Sequence, residues 1–459
     1  MRVNRTIFRE YDIRGIAGRD LTGETALLIG RAFGTWVRRH GGTSVAVGGD
    51  NRLTTPGLKE QAIRGLLSSG CLVADCGIVP SPMVYFAARH RGLDAAMVVT
   101  ASHNPPEFNG FKTVFSGKSL HGGQIGEIAD IIEKEAFVAD GGAVSPTDAA
   151  GDYLAWMRQR FCFSGRLRIG VDTGNGTAGP FLVPLLRSLG AQVHALYEES
   201  DPSFPHHLPD PVVPEHLKDL VALVLKEHLD AGIALDGDGD RIGVVDDRGR
   251  ILWGDRLLIL FAREVLAAHP GAAVIYDVKC TKALEEEIRK AGGQPVMWKT
   301  GHSLIEGKLH ELHAPLAGEL SGHIYFADEY FGYDDAIYAA LRLLRMLDDT
   351  DRPLSDMLAG VKEYAATPEI RMEVPDEEKF GAVERLRDHF RGRFPVSDID
   401  GVKVFFPDGW ALVRASNTQP ALVLRIEAEN EAALARIRAE FLATVRGVVP
   451  VPPAEGNTR

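Results

Sequence analysis

Apolar residues recur along this chain with periods of about 3.6 and 2, and the switches between the two mark its elements. Between positions 22 and 40, Ala26, Leu27, Ile29, Ala32, Phe33, Trp36 and Val37 fall near helical spacing, and Gly41 and Gly42 stop the helix. The run 45–47 reads as a strand ending in Gly48, Gly49 and Asp50. A helix over 56–69 follows, then a strand at 71–73 and a loop carrying Pro80 and Pro82. Ala95, Ala96, Met97, Val98 and Val99 form a run with no polar position, as expected of a buried strand. This alternation is the pattern of an α/β layer. The first unit extends to about residue 147, where Gly141, Gly142 and Pro146 predict a linker.

The pattern then restarts. Strands are predicted at 167–171, 191–196 and 232–235, with helices at 181–189 and 214–228. After a turn at 246–249 come a helix at 255–268, a strand at 273–278, a helix at 282–291 and a strand ending near Gly318. These are three α/β units of roughly 100 residues each, a natural domain size, with too little mutual similarity to be called a repeat. The last portion is a small α+β module: strands at 369–374, 402–406, 411–414 and 422–428, helices at 380–390 and 431–445. The expected domains are therefore 1–147, 148–250, 251–364 and 365–459, and the proline-bearing tail after Val449 is expected to fray.

Composition narrows the class. A chain of 459 residues, 45% hydrophobic and 25% charged, suits a soluble protein of several cores. No apolar run is long enough to span a membrane, and the first ten residues carry no apolar signal segment. A net charge of -12 with no basic stripe argues against nucleic acid as a partner, but not against a small anion bound by a few local cations. Cys71, Cys76, Cys162 and Cys280 show neither a CxxC pair nor zinc spacing, which points to a reducing cytoplasm. Monomer and weak dimer are both compatible with the acidic surface.

Candidate chemistry sits in the loops. Thr100, Ala101, Ser102, His103, Asn104, Pro105 and Pro106 follow a buried strand, and the two prolines forbid an immediate helix or sheet. Ser102 is either a nucleophile at the mouth of a cleft or part of a self-satisfied polar turn. The strongest local signal is Asp236, Gly237, Asp238, Gly239, Asp240 and Arg241, where glycines let three carboxylates converge on one hard cation. An EF-hand is excluded, because its sixth position is Arg241 and its twelfth Asp247. Gly174, Gly176 and Gly179 match a dinucleotide fingerprint, but Asp172 would face a pyrophosphate, so these are read as turn and packing residues. Glu319, Ser321 and His323 lie within one turn and suit sugar hydroxyls, which need both donors and acceptors. Lys299 and His302 bracket a second polar turn. Arg414, Ser416, Asn417 and Thr418 have the composition of a phosphate clamp.

Taken in order, the motifs at 100–106, 236–241, 318–323 and 414–418, with the opening 8–15, resemble the α-D-phosphohexomutase superfamily over essentially the whole chain. The nearest likeness is to its bacterial phosphomannomutase/phosphoglucomutase branch, from which Gly49, Leu320 and Gln419 depart. The resemblance implies three similar mixed α/β domains and a smaller C-terminal α+β domain around a central cleft. It implies that Ser102 is a phosphoserine, that Mg²⁺ is held by Asp236, Asp238, Asp240 and that phosphate, and that Arg241, Lys112, His103 and Asn104 surround the transfer site. Tyr11, Arg14, Lys279, Lys299 and His302 become cleft candidates, with His302, Lys112 or Arg14 moving the hydroxyl proton. Glu319, Ser321 and His323 are assigned to the sugar, and Arg414, Ser416, Asn417 and Thr418 to the non-reacting phosphate. The implied reaction is transfer between the 6- and 1-positions of mannose and glucose phosphates, with glucose or mannose 1,6-bisphosphate as activator. Its rivals are a phosphoglucosamine mutase, a sugar-phosphate phosphohydrolase and a non-catalytic sugar-phosphate binder.

Overall fold

The computed structural model describes residues 3–416 and 420–449, so Asn417, Thr418 and the tail expected to fray lie outside the described residues. The first sheet comprises β1 (Ile13–Ile16), β2 (Ser44–Gly49), β3 (Leu72–Ile78), β4 (Ala95–Val99), β5 (Phe108–Phe115), β6 (Lys118–Ser119) and β7 (Ala143–Pro146). Its order is β1-β5-β4-β2-β3-β7, with β6 on β5. The second holds β8 (Arg168–Asp172), β9 (Gln192–Leu196), β10 (Ala231–Leu235), β11 (Ile242–Asp246) and β12 (Ile251–Leu252) in the order β12-β11-β10-β8-β9. The third holds β13 (Ala273–Asp277), β14 (Gln294–Trp298), β15 (Leu316–Gly318) and β16 (Ile324–Phe326) in the order β14-β13-β15-β16. The fourth is β17 (Ala365–Ala366), β18 (Ile370–Glu373), β19 (Val396–Ser397), β20 (Val402–Phe406), β21 (Gly409–Ala415) and β22 (Ala421–Ala428), antiparallel throughout.

A common device emerges that the sequence did not reveal. In each of the first three sheets a run of parallel strands is followed by an antiparallel return: β4 to β5, β10 to β11, β15 to β16. The connection made at that return carries the candidate chemistry, and in the fourth sheet the turn from β21 to β22 does the same. Loops at the carboxyl ends of strands where strand order reverses are where open sheets bind ligands.

Two expectations are corrected. Residues 143–146 are no linker: they form β7, paired parallel with β3 from Leu72–Ala143 to Asp75–Pro146. Pro146 is tolerated because this is an edge strand. At the second boundary, β12 pairs with β11, so the second sheet runs on to Leu252. The other expected elements are present, as in the helix Gly23–Arg39, capped by the Thr22 side chain and carrying Arg38 and Arg39 in its last turn, while β1, β5, β14, β16 and several helices were not expected. One apolar core runs from Ala46 through the second and third units to Val361, whereas the C-terminal module closes its own core between Val374 and Val449. Among the described residues no helix is long and apolar enough to cross a membrane.

Candidate active site

Ser102 stands one turn beyond β4 with φ 53°, a left-handed conformation uncommon for a residue with a side chain. It is buried, its Oγ donates to Asp236 Oδ2 at 2.6 Å, and it lies 3.1 Å from His103 Nδ1. The two loops are in van der Waals contact: a Cβ on Gly237 would stand 2.4 Å from the Ser102 carbonyl oxygen, so only glycine fits there. Asn104 Oδ1 accepts from Arg14 Nη1 at 2.7 Å, and Arg14 is itself paired with Asp12 at 2.6 Å.

Asp236, Asp238 and Asp240 converge as predicted, each fully buried with carboxylate oxygens within 4.8 Å of one another, a cluster able to hold a metal ion. Asp236 Oδ1 accepts the amides of Gly239, Asp240 and Arg241, which curls the loop around it. Burial, then the charges of Asp240 and Asp238, push the Asp236 carboxyl well above the usual range. Asp240 is also penalised by burial, but Lys112, His323 and Arg241 outweigh this and lower it. Lys112, on β5, donates to Asp238 at 2.7 Å and to Asp240, and those two charges overcome burial to raise its ammonium well above normal. Ser81 Oγ also donates to Asp238 at 2.6 Å. Asp238 Oδ1 and Asp240 Oδ1 are buried and have no hydrogen-bond partner among the described residues. A hard divalent cation fits this donor set, since unpaired buried carboxylate oxygens are costly and oxygen is its preferred ligand.

The third loop is tied to the second. Arg241 Nε donates to His323 Nε2 at 2.9 Å, and the Ile242 amide donates to the Gly322 carbonyl at 3.0 Å. The far nitrogen of His323, Nδ1, lies 2.8 Å from Asp334 Oδ2. Burial lowers His323 to about 4 and raises Asp334 to about 8. Glu319 is buried and raised by that burial, accepting the Ser321 hydroxyl at 3.3 Å and the Tyr325 hydroxyl at 3.5 Å. His302, lowered to about 4 by burial, faces Tyr11 edge-on at 5.5 Å and lies 5.8 Å from the His323 ring.

On the C-terminal module, Arg414 Nε donates to Asp400 Oδ2 at 2.7 Å while its Nη2 is buried with no partner among the described residues. A guanidinium half anchored and half unpaired is ready for an anion. Asp400 also accepts the Thr300 amide at 3.0 Å, joining Arg414 to the third unit. Ser416 is buried, its amide donating to the Ala421 carbonyl at 2.9 Å. Lys279 lies between Asp277 and Glu369, at 3.7 and 3.5 Å. Lys299 is exposed and makes no hydrogen bond or ion pair among the described residues.

Several residues of this region carry no mark in the sequence. Asp50 and Arg52 lie beneath the Ser102 loop, and the rule that strand ends bear function, applied to the end of β2, would have found them. Asp334 and Asp400 sit in ordinary surface-like stretches and acquire their meaning only from partners far along the chain.

Known proteins bear on this geometry. The descriptions "Phosphoglucomutase/phosphomannomutase, alpha/beta/alpha" domains I, II and III match residues 5–139, 154–249 and 253–364, and the C-terminal domain description of the same family matches 369–444. A phosphomannomutase/phosphoglucomutase of Pseudomonas aeruginosa is 46% identical over 451 residues, 97% of this chain and 97% of that protein. A phosphoglucomutase of Neisseria gonorrhoeae is 42% identical over 96% of this chain and 97% of its own. The crystal structure of a phosphoglucomutase/phosphomannomutase family protein from Burkholderia thailandensis superposes with a TM-score of 0.92 at 42% identity, covering 97% of this chain and 98% of that one. With all four of its domains matched in order and relatives of this identity along nearly its full length, the chain belongs to the phosphoglucomutase/phosphomannomutase family, in the bacterial branch of the α-D-phosphohexomutase superfamily.

Proposed function

We propose that this chain interconverts hexose 6-phosphates and hexose 1-phosphates, with mannose and glucose phosphates as substrates, by way of a phosphorylated Ser102 and a hexose 1,6-bisphosphate intermediate. The observation that carries this reading is the buried Ser102 hydroxyl, held 2.6 Å from Asp236 in the three-carboxylate cluster. A hydroxyl so placed is where a phosphoryl group and a cation would meet.

In the transfer, the bond from phosphorus to Ser102 Oγ breaks as one forms to a sugar hydroxyl oxygen. The sugar hydroxyl proton passes to the enzyme and Ser102 Oγ takes up a proton as its bond to phosphorus breaks; in the return transfer Ser102 Oγ gives that proton up and the released sugar oxygen is protonated. Mg²⁺ held by Asp236, Asp238 and Asp240 would neutralise charge on the moving phosphoryl group. His302 is the proton acceptor: burial holds its ring at about 4, hence unprotonated at neutral pH and free to take up a proton. Lys112 is held charged by Asp238 and Asp240, and Arg14 is a guanidinium, so both serve as cations. Glu319, Ser321 and His323 grip the sugar, and Arg414 with Ser416 the phosphate that does not react. Because one phosphate clamp faces one phosphoserine, the bisphosphate must turn around between the two transfers, and the C-terminal module opens to let it. The four cysteines are free, in keeping with a cytoplasmic enzyme.

The test is mutase activity of wild type and Ser102→Ala with glucose 1,6-bisphosphate as activator. The alanine variant is expected to be inactive; full activity would remove Ser102 as the nucleophile. Release of inorganic phosphate without sugar 1-phosphate would instead identify a phosphohydrolase.

A further inference from the structure

We propose that Arg52, with Asp50 and Thr100, is a clasp that sets the position of the phosphoryl-bearing Ser102, making Arg52 a positioning residue for the transfer step. The proposal rests on the reading of Ser102 as the phosphoryl donor.

A guanidinium has five N–H donors in a rigid fork, and Arg52 uses all of them around one loop. Nη2 donates to the carbonyls of Ser102 at 2.7 Å and Asn104 at 2.6 Å. Nη1 donates to those of Pro105 at 2.6 Å and Phe108 at 3.1 Å. Nε donates to Asp50 Oδ2 at 3.0 Å. The side chain is 1% exposed, so it touches neither solvent nor cleft and takes no direct part in chemistry. Three of the four carbonyls belong to the turn that carries Ser102 in its left-handed conformation, and the fourth, of Phe108, opens β5 where that turn ends. Such a conformation persists only where surrounding contacts over-determine it.

Asp50 closes the clasp from the other side. The same carboxylate that pairs with Arg52 accepts the Thr100 hydroxyl at 2.8 Å and the Ala101 amide at 3.2 Å. The Thr100 Oγ1 in turn accepts the Ser102 amide at 2.8 Å. Ser102 is therefore gripped at its amide through Thr100 and Asp50, and at its carbonyl through Arg52. Its backbone cannot rotate without breaking one of these bonds. Only Oγ is left to the cleft. Since phosphoryl transfer is catalysed largely by positioning, a clasp on the donor backbone acts on the rate rather than on substrate affinity.

The experiment uses the full chain and four variants, Ser102→Ala, Arg52→Lys, Thr100→Val and Thr100→Ser. It measures kcat, KM for glucose 1-phosphate, and the rate at which Ser102 gains phosphate from glucose 1,6-bisphosphate, read by intact mass. Lysine has three donors and cannot fill four carbonyls, so Arg52→Lys is expected to lose about tenfold or more in kcat and in phosphate loading, with KM changed less than about threefold. Thr100→Val keeps shape but cuts the link to the Ser102 amide and is expected to show the same pattern. Thr100→Ser, which restores the hydroxyl, is expected to recover the rate. A merely structural role would lower thermal stability without this split or this rescue. The clasp is overturned if Arg52→Lys or Thr100→Val is folded with near wild-type kcat, if KM rises while kcat holds, or if Thr100→Ser does no better than Thr100→Val. Should Arg52→Lys not fold, the two Thr100 variants decide alone. If Ser102→Ala is inactive while the clasp variants are normal, only the clasp falls; if Ser102→Ala keeps activity, the functional reading falls and the clasp with it.

Discussion

Gly237→Ala tests whether catalysis depends on the contact between the nucleophile loop and the carboxylate loop. The added Cβ would lie 2.4 Å from the Ser102 carbonyl oxygen and 3.2 Å from Pro209 Cγ, with backbone on one side and a proline ring on the other. Non-bonded heavy atoms settle near ~3.5 Å, so the loops must part by roughly 1 Å. The Ser102 Oγ to Asp236 bond, 2.6 Å in the native arrangement, would then be stretched to the edge of hydrogen bonding. A displacement of that size costs on the order of 10²-fold in rate, equivalent to about 2.7 kcal/mol of transition-state stabilisation. The proposed sugar and phosphate clamps are untouched, so KM should change by less than about threefold. The assay is steady-state conversion of glucose 1-phosphate to glucose 6-phosphate by a variant whose far-ultraviolet circular dichroism matches wild type. A variant retaining near wild-type kcat, or one altered only in KM, would refute the idea that the loop contact sets the position of the serine.

Three further outcomes are expected. Chelation should abolish activity and Mg²⁺ restore it. Burial and the charges of Asp240 and Asp238 push the Asp236 carboxyl above its usual range, so metal should bind the dephosphorylated protein more tightly as pH rises. Calorimetric affinities taken across pH read this directly, and an affinity independent of pH would count against it. Lys403, buried between the Val278 carbonyl at 2.9 Å and the Trp410 ring at 3.8 Å, has its ammonium lowered by burial to about 8. Its folded value lies below its unfolded one, so the cost of burying the charge, about 3 kcal/mol, is constant below pH 8 and is relieved as pH rises from about 8 towards 10.5. Denaturant midpoints of wild type should therefore climb across that window and those of Lys403→Met should not; parallel curves would exclude the lysine as the source.

Much of the fold is legible because the sequence punctuates it. Thr22 before the first helix and Gly41 after it bound an amphipathic stripe, and the charged C-terminal helix, Glu431–Val448, begins at the Asn430 cap. The four loops are legible because each breaks an apolar run with glycines or prolines. What could not be read is the set of return strands. β5 buries Asn109, Lys112 and Thr113 along with Phe111, so it shows neither alternation nor an apolar run. The helix Ala336–Asp348 is buried along its first nine residues, and its polar positions, Arg342, Arg345 and Asp348, all fall in its second half, so the sequence shows only a late stripe. Lys112 itself was found through likeness to known proteins; its pairing with Asp238 and Asp240 spans more than a hundred residues and has no local signature. Lys299, chosen on local polarity, is the one candidate among the described residues that the fold leaves outside the network.

The backbone bond from Ile242 to Gly322 and the one from Ser81 to the Asp238 carbonyl, at 3.0 and 2.9 Å, have a mechanical meaning. They fasten the carboxylate loop to the first and third units, which share one apolar core, while the C-terminal module keeps its own. The molecule is an anvil with a single jaw. Under the proposed cycle, both half-reactions strike the same unyielding surface, so a change to the anvil accelerates or slows the two directions alike. Under that cycle the jaw holds the phosphate that does not react, so changes there would alter how firmly the bisphosphate is held rather than the transfer itself.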